Sequence, residues 1–314
     1  MIKKNLIPII FLLFSPLFLR AQSYVDLHFN FKEGSEFQIH QKANKETYLT
    51  VGEVEQRTSN QKETKLMLTV KKVNPDGSAT LSANYQRIIL SSSQDGNKIY
   101  VDTKSEGSDV FNKLFKALID QKFNVTISEY GKIESVSGMD PIFDKMIDAL
   151  SGVKKNEKEE LKAFLITSMG PEQVKLNLSF VIPQYALFKV HKGDAWTNHT
   201  KAKSLYGGTI DNYWELQYGN DFMAKLENKA KYYSEPSTII DLGGGQEGRA
   251  QLEGDITSNY VINASSSWPT RSIVHSELKG DFIFMGDKKK RKKKGNLKVP
   301  VRIIQNISYE IKHF

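Results

Sequence analysis

The sequence of 314 residues contains no cysteine. This absence excludes disulfide bonds, thiolate metal sites and cysteine nucleophiles. It also excludes the lipidated cysteine that a lipoprotein carries after its leader. No apolar run after residue 21 approaches the roughly 20 residues that a transmembrane helix needs. The fold therefore has to be stabilised by a buried hydrophobic core, which a chain of this length can form.

The sequence also carries few signs of catalysis. It lacks a Gly-x-Ser-x-Gly elbow, and the glycine-rich segment 243–248 lacks the Gly-Lys-Ser/Thr ending of a phosphate-binding loop. Its six histidines include no i, i+4 pair for a helical zinc site, and no pair of carboxylates stands on an apolar background. We predict no catalytic residue, no metal and no cofactor, and we favour a non-enzymatic protein. The alternative is a hydrolase whose site forms only in the fold.

The first 21 residues have the pattern of a cleavable signal peptide. Lys3 and Lys4 precede an apolar run from Leu6 to Leu19, and Ala21 is the small residue at the predicted cleavage point. We predict export to the periplasm or the extracellular space, without lipidation. An uncleaved N-terminal anchor is the alternative.

The formal net charge of +8 comes from two short segments. Removing the three cations of the predicted leader lowers it to +5, and removing the seven cations of 288–294 lowers it to −2. A nearly neutral body argues against nucleic acid as a partner. Seven adjacent cations repel one another, which predicts a solvated hairpin tip. Such a tip is either without function or a contact with an anionic membrane surface or lipopolysaccharide through Lys288, Lys289, Lys290, Arg291, Lys292, Lys293 and Lys294.

Alternation of apolar and polar residues predicts strands in the first part of the chain. Residues 24–31 have period two, as do 64–73 and 79–90. Between the last two lies the turn Asn74–Gly77, in which proline presets φ and glycine accepts positive φ. These segments predict an antiparallel meander.

The period changes to that of a helix in the middle of the chain. Apolar residues recur at helical spacing over 111–119, 143–150 and 161–165. Residues 171–181 fit either a strand or a helix, and we favour the helix. The predicted N-terminal caps are Asp109 or Ser108, then Asp140 before Pro141, then Asn156 with Glu159.

A glycine turn followed by an aromatic residue occurs twice. Lys32–Phe37 and Lys192–Trp196 place their glycines 159 positions apart. We interpret this as one β-rich unit present in two copies, with Trp196 a core residue that matches Phe37. Strands of the second copy are predicted at 210–218, 222–233, 249–263, 273–278, 281–285 and 299–312.

The residues around the second turn also suggest a catalytic group. His191, Asp194 and His199 lie within nine positions. At the 159-residue offset only His199 has a histidine counterpart, His40. The shared features are therefore better explained by folding than by chemistry.

The predicted fold class is α+β and mostly antiparallel. Two related β meanders form a bent sheet or partial barrel, with three to four helices packed on it. After the leader, the predicted units are a β-rich unit with one helix at 22–138, a helical middle at 139–187 and a β-rich unit at 188–314.

Several of these phrases resemble those of a known family. They are the turn Pro75–Gly77, the helix Phe111–Leu118, the strand Phe123–Ser128 with Gly131–Ile133, and Gly193–Trp196. The chain resembles an uncharacterised domain-of-unknown-function family of secreted Gram-negative proteins. The resemblance implies localisation and architecture, and it brings no activity, ligand or site residue.

Our leading functional hypothesis is an exported envelope protein that binds a lipid or another apolar or amphipathic ligand between sheet and helices. The alternatives are surface association through the basic run and the hydrolase named above. A terminal phenylalanine is typical of outer-membrane barrels. Here its parity is shared by Lys312, Glu310 and Ser308, so we do not predict an integral membrane barrel. The sequence predicts no oligomeric state.

Overall fold

The computed structural model describes residues 24–94, 96–107, 109–203, 206–241, 247–285 and 297–314. Within these ranges the chain forms one large antiparallel sheet and four helices. The strands are β1 (Glu36–Val51), β2 (Val54–Val73), β3 (Ala79–Gln94), β4 (Asn97–Asp102), β5 (Phe123–Ile127), β6 (Ile133–Ser137), β7 (Ala195–Lys201), β8 (Thr209–Gly219), β9 (Met223–Tyr233), β10 (Ile239–Asp241), β11 (Glu247–Asn263), β12 (Pro269–Phe284) and β13 (Leu297–His313). The helices are α1 (Val110–Lys116), α2 (Asp140–Asp148), α3 (Lys155–Met169) and α4 (Pro171–Ser179).

The strand order shows how the two ends of the chain meet. It runs β6-β5-β3-β2-β1-β13-β12-β11-β9-β8-β7, with β4 added beside β3 and β10 beside β11. The sheet is open, and β6 and β7 are its edges. At its centre β1 pairs with β13, where Ile39 lies opposite Ile311. The predicted class, a mostly antiparallel α+β fold, is confirmed, while the relation between the two halves stays a prediction.

The two predicted glycine turns have the same local geometry. Gly34 and Gly193 have φ values of +84° and +90°, which favour glycine. Their amides donate to the carbonyls of Val70 and Leu216, at 2.9 and 2.8 Å. Directly after Val70 and after Leu216, each partner strand has a register shift. Each turn thus precedes a strand, β1 or β7, and its glycine amide binds the strand that follows, β2 or β8.

All four predicted helices are present. At 171–179 the favoured helix forms although its apolar residues alternate like those of a strand, and Pro171 stands in its first turn. Asp109 caps α1 by accepting from the amide of Asn112 at 3.0 Å. The other two predicted caps are displaced. Met139 caps α2, and Asp140 lies in its first turn, where a carboxylate interacts favourably with the helix dipole. Lys154 precedes α3, and its amide donates to the side chain of Glu157 at 3.2 Å, two positions before the predicted pair.

Residues 24–31 alternate as predicted but are not part of the sheet. Val25, Leu27, Phe29 and Phe31 are all buried, while the residues between them are exposed. The backbone pairs only at single points, through a bridge between Val25 and Val190 and a bond from the Phe29 amide to the carbonyl of Glu129. The prediction of a strand is therefore wrong. Alternation with period two shows that one face of the segment is buried, but it does not show that the backbone pairs with a neighbouring strand.

The core lies on one face of the sheet. Inward-facing side chains pack against the segment 24–31 and the helices, and the opposite face is polar. Phe37 is buried and stacks on Trp268, with ring centroids 3.8 Å apart. Trp196 is only half-buried, because β7 is an edge strand, and its indole donates to the carbonyl of Gln184 at 2.9 Å.

In the described part of the chain, no helix has both the length and the apolarity to cross a bilayer. The predicted leader and the basic run 288–294 lie outside the described residues.

Candidate ligand-binding cavity

A cavity of about 550 Å³ lies between the inner face of the sheet and helices α1, α3 and α4. Ligand pockets in proteins typically measure about 300–1,000 Å³. Most of its lining side chains are apolar or aromatic. The floor includes Ile88, Ile256, Leu278 and Ile303, and the helical side includes Phe115, Met169, Val174, Leu176 and Phe180.

The cavity reaches the surface between α1, α3 and β4. Ile99, Phe111 and Phe164 line it, and they remain 48%, 44% and 59% exposed. The sequence pattern places Phe111 and Phe164 in the buried stripes of their helices. In the fold they form an apolar rim instead, because the helices stand over a cavity and not directly on the sheet.

A chain of hydrogen bonds attaches α4 to the floor. The Thr64 hydroxyl donates to Gln41, whose amide donates to the Tyr309 hydroxyl, both at 3.1 Å. Tyr309 in turn donates to the carbonyl of Asn177 in α4 at 3.4 Å. The last carbonyls of a helix can accept bonds from outside it, and this bond to the Asn177 carbonyl positions α4 above the floor.

Helix α1, which lines the opening of the cavity at the surface, is attached to β4. The side chain of Asn112 accepts from the Asp102 amide at 3.1 Å. Arg87 binds the Asp102 carboxylate through two nitrogens, at 2.8 and 3.2 Å. This hydrogen-bonded guanidinium lowers the pKa of Asp102. The ion pair therefore connects β3 with β4, and the Asn112 bond connects β4 with α1.

A row of polar side chains crosses the floor on the cavity side. It contains one residue from each of five adjacent strands, and the register aligns them. All five line the cavity, and we call them the polar row: Ser92, Asn60, Lys45, Gln305 and Ser276.

Among the described residues, two lysines and no acidic residue line the cavity. Lys45 donates to the Tyr206 hydroxyl at 3.1 Å and lies 5.3 Å from the centre of its ring. Lys62 is half-buried and, among the described residues, forms neither a hydrogen bond nor an ion pair. Burial lowers the pKa of its ammonium, since no nearby charge stabilises the protonated form.

Family membership follows from the sequence match. A family model, described as a family of unknown function (DUF6263), matches residues 76–269. The chain belongs to this family. The predicted resemblance to a family of unknown function is thus confirmed, and the secreted character that it implied stays a prediction. A comparison with curated proteins finds no match.

Solved structures resemble the DUF6263 chain only weakly. Lipovitellin, in a structure concerned with its lipid–protein interactions, is 12% identical with a TM-score of 0.49, and the match covers 90% of this chain and 26% of that one. OccK7 of Pseudomonas aeruginosa is 6% identical with a TM-score of 0.22, covering 90% and 100%. OmpF of Salmonella typhi, in complex with daunomycin, is 7% identical with a TM-score of 0.22, covering 90% and 98%. The DUF6263 chain thus spans about a quarter of the lipovitellin chain, and values this low assign no function.

The histidines that the sequence singles out do not meet in one site. His40 pairs with Glu63 at 2.8 Å on β1 and β2, and His199 pairs with Asp211 at 2.7 Å on β7 and β8. Strands β13, β12, β11 and β9 lie between these two strand pairs. At the second turn, His191 approaches Asp194 at 3.3 Å. Over the ranges that the structure describes, no three His, Asp or Glu side chains form a group that could hold a metal.

Two other predicted features fall on residues outside the described ranges. One is the anionic-surface contact Lys288–Lys294, which stays a prediction, and the other is the glycine-rich stretch at positions 243–246. The last two residues of that glycine-rich segment, Glu247 and Gly248, begin β11.

Sequence reasoning missed the two cavity lysines, although a signal was present. The inward parity of β2 runs through Thr64, Leu66, Leu68 and Val70, and Lys62 continues it. A cation on the apolar face of a strand is unusual, because a buried charge needs a partner. That irregularity was the available signal.

Proposed function

We propose that this DUF6263 protein binds a hydrophobic or amphipathic ligand between its sheet and its helices. The observation that carries the proposal is the apolar cavity of about 550 Å³ with an apolar rim. A well-packed core has few voids larger than a water molecule, so a space of this size is a feature of a binding protein more than of a filled core.

The fixed roof supports the same function. Helix α4 is bound to the floor through Tyr309, and a second buried tyrosine, Tyr260, donates to the carbonyl of Phe180 at 3.2 Å. Both bonds hold the C-terminal end of α4, which cannot collapse onto the sheet without breaking them. The cavity is therefore preorganised, which lowers the cost of binding.

Blocking the cavity tests the proposal. Ala43 lies on the floor in β1, and Ala43→Trp would fill part of the space. The matched control is Ala163→Trp, which adds the same side chain to an exposed position of α3. Binding of N-phenyl-1-naphthylamine is followed by fluorescence, and lipid carried through purification is identified by native mass spectrometry and solvent extraction.

The expected result is binding by the wild type and by the Ala163 variant, and a loss of at least about tenfold for Ala43→Trp. Circular dichroism checks that the variants are folded. If overpacking unfolds Ala43→Trp, Leu176→Trp on the roof replaces it. A wild type that binds neither the probe nor any extracted lipid would reject the proposal, as would equal binding by the blocked variant.

Export and internal duplication belong to the same proposal. Export rests on the basic and apolar residues of 1–21, and the N-terminal sequence of the protein secreted by its host would test it. The duplication, with units at 22–138, 139–187 and 188–314, is supported by the common geometry of the turns at Gly34 and Gly193. Contact of 288–294 with an anionic surface remains the alternative function.

A further inference from the structure

We infer that the ligand is an anionic amphiphile whose acidic headgroup binds between Lys62 and Lys45, with its hydrocarbon chain along the apolar lining. This inference rests on the proposed function, because it names the class of ligand for the same cavity. Its basis is the distribution of charge in the cavity and the strand register that produces it.

The two lysines are neighbours on adjacent strands. Lys62 pairs with Ala43, and Lys45 lies two positions further along β1, on the same face. Diagonal neighbours of this kind lie about 7–8 Å apart, within reach of long side chains. Both ammonium groups can therefore contact one acidic group, whether it is a carboxylate or a phosphate.

In the part of the chain that the structure describes, no acidic side chain pairs with Lys62. Its partners across the two adjoining strands are Ala43 and Leu90, and the next residue in that row, Ile307, is also apolar. A charge removed from water is costly unless it is paired. Since the described part of the cavity lining contains no acidic residue, the missing counter-ion is one that the ligand supplies.

Lys45 is held in place before any ligand arrives. The Tyr206 ring lies beside its ammonium group, and the tyrosine hydroxyl accepts one of its three protons. The other protons remain for a headgroup. Asn60 and Gln305 lie directly opposite Lys45 on either side, and both line the cavity. This end of the floor thus offers hydrogen-bond donors to an anion, and the remainder offers apolar surface.

A matched series of 16-carbon ligands tests the inference. Palmitic acid, 1-palmitoyl lysophosphatidic acid and hexadecanol displace N-phenyl-1-naphthylamine from the purified protein, and their dissociation constants are compared. The first two distinguish a carboxylate from a phosphate headgroup, and hexadecanol measures the chain alone. The variant is Lys62→Met, and its control is Lys42→Met, an exposed lysine of the same pair of strands.

We expect at least one anionic ligand to bind about tenfold or more tightly than hexadecanol, as one charge-assisted hydrogen bond allows. Lys62→Met should remove that preference and leave hexadecanol binding unchanged, and Lys42→Met should change neither. If Lys62→Met does not fold, Lys62→Gln replaces it.

The outcomes separate the two proposals. Equal binding of all three ligands, or an anionic preference that survives in Lys62→Met, overturns the headgroup inference while the cavity function stands. Displacement by none of the three, together with no binding of the fluorescent probe, rejects the cavity function itself.

Discussion

Replacing Tyr309 by phenylalanine removes one hydroxyl from the junction of the sheet and α4. That hydroxyl accepts from the Gln41 amide and donates to the Asn177 carbonyl. The Asn177 carbonyl also accepts from the Phe180 amide at 3.3 Å, so it keeps a partner in the variant. The buried Gln41 amide nitrogen loses the acceptor that it has in the wild type.

The magnitude follows from that difference. A net hydrogen bond contributes about 1 kcal/mol, and an unsatisfied buried donor costs about 1–3 kcal/mol. We therefore expect Tyr309→Phe to lower the free energy of unfolding by about 2 kcal/mol. The removed atom leaves little volume, so a packing defect adds little to this value.

Urea unfolding, followed by circular dichroism, measures the change. The control is Tyr213→Phe, because Tyr213 is an exposed tyrosine of β8 and surface substitutions usually stay within about 0.5 kcal/mol. A Tyr309 variant as stable as this control would refute the role of the network in holding α4. Hydrogen exchange of α4 should also accelerate, since its attachment to the floor is weakened.

Three further changes test other parts of the molecule. Phe29→Ala should destabilise the protein by about 3–5 kcal/mol in urea unfolding, because Phe29 is 3% exposed within an aromatic cluster, and an effect near zero would show that segment 24–31 is not part of the core. Arg87→Met should lower stability at neutral pH. The folded pKa of Asp102 is depressed, so the effect is complete above the unfolded pKa of about 3.9 and shrinks as the pH falls below it; an unchanged difference near pH 2 would contradict this. Lys62→Met should raise the thermal midpoint of the ligand-free protein at pH 7. Because the folded pKa of Lys62 is lowered, wild-type stability should approach that of the variant as the pH rises toward about 10.4, and parallel curves would exclude an uncompensated ammonium. The other titratable groups lining the same cavity are Lys45, Tyr85, Tyr206 and Tyr232.

Burial also affects two tyrosines of the cavity lining, Tyr85 and Tyr232. It raises the pKa of Tyr85 to about 12, and no described residue hydrogen-bonds the Tyr85 hydroxyl. This neutral group adds a hydrogen-bond donor to the cavity lining without adding negative charge. The charged side chains in the described part of the lining are thus all cationic.

Local features were predictable because they depend on neighbours in sequence. The turn at Asn74–Gly77, the cap at Asp109 and the helix start at Pro171 all follow from backbone preferences and short spacings. The segment 24–31 shows the limit of such reasoning. Its alternation correctly predicts which residues are buried, but ladder pairing depends on a partner strand that local sequence does not specify.

The candidate site depended on pairing across the whole chain. By itself the sequence determined an antiparallel, cysteine-free fold of alternating strands with a helical middle. Only the tertiary structure placed β13 beside β1. In that pairing Gln305 lies opposite Lys45, although the two residues are 260 positions apart in the sequence. The tertiary structure also raised the helices off the sheet, leaving Phe111 and Phe164 at a rim. Strand register and helix packing bring the lysines and the cavity together into one candidate site. Both depend on contacts between residues far apart in the sequence, which local sequence patterns do not predict.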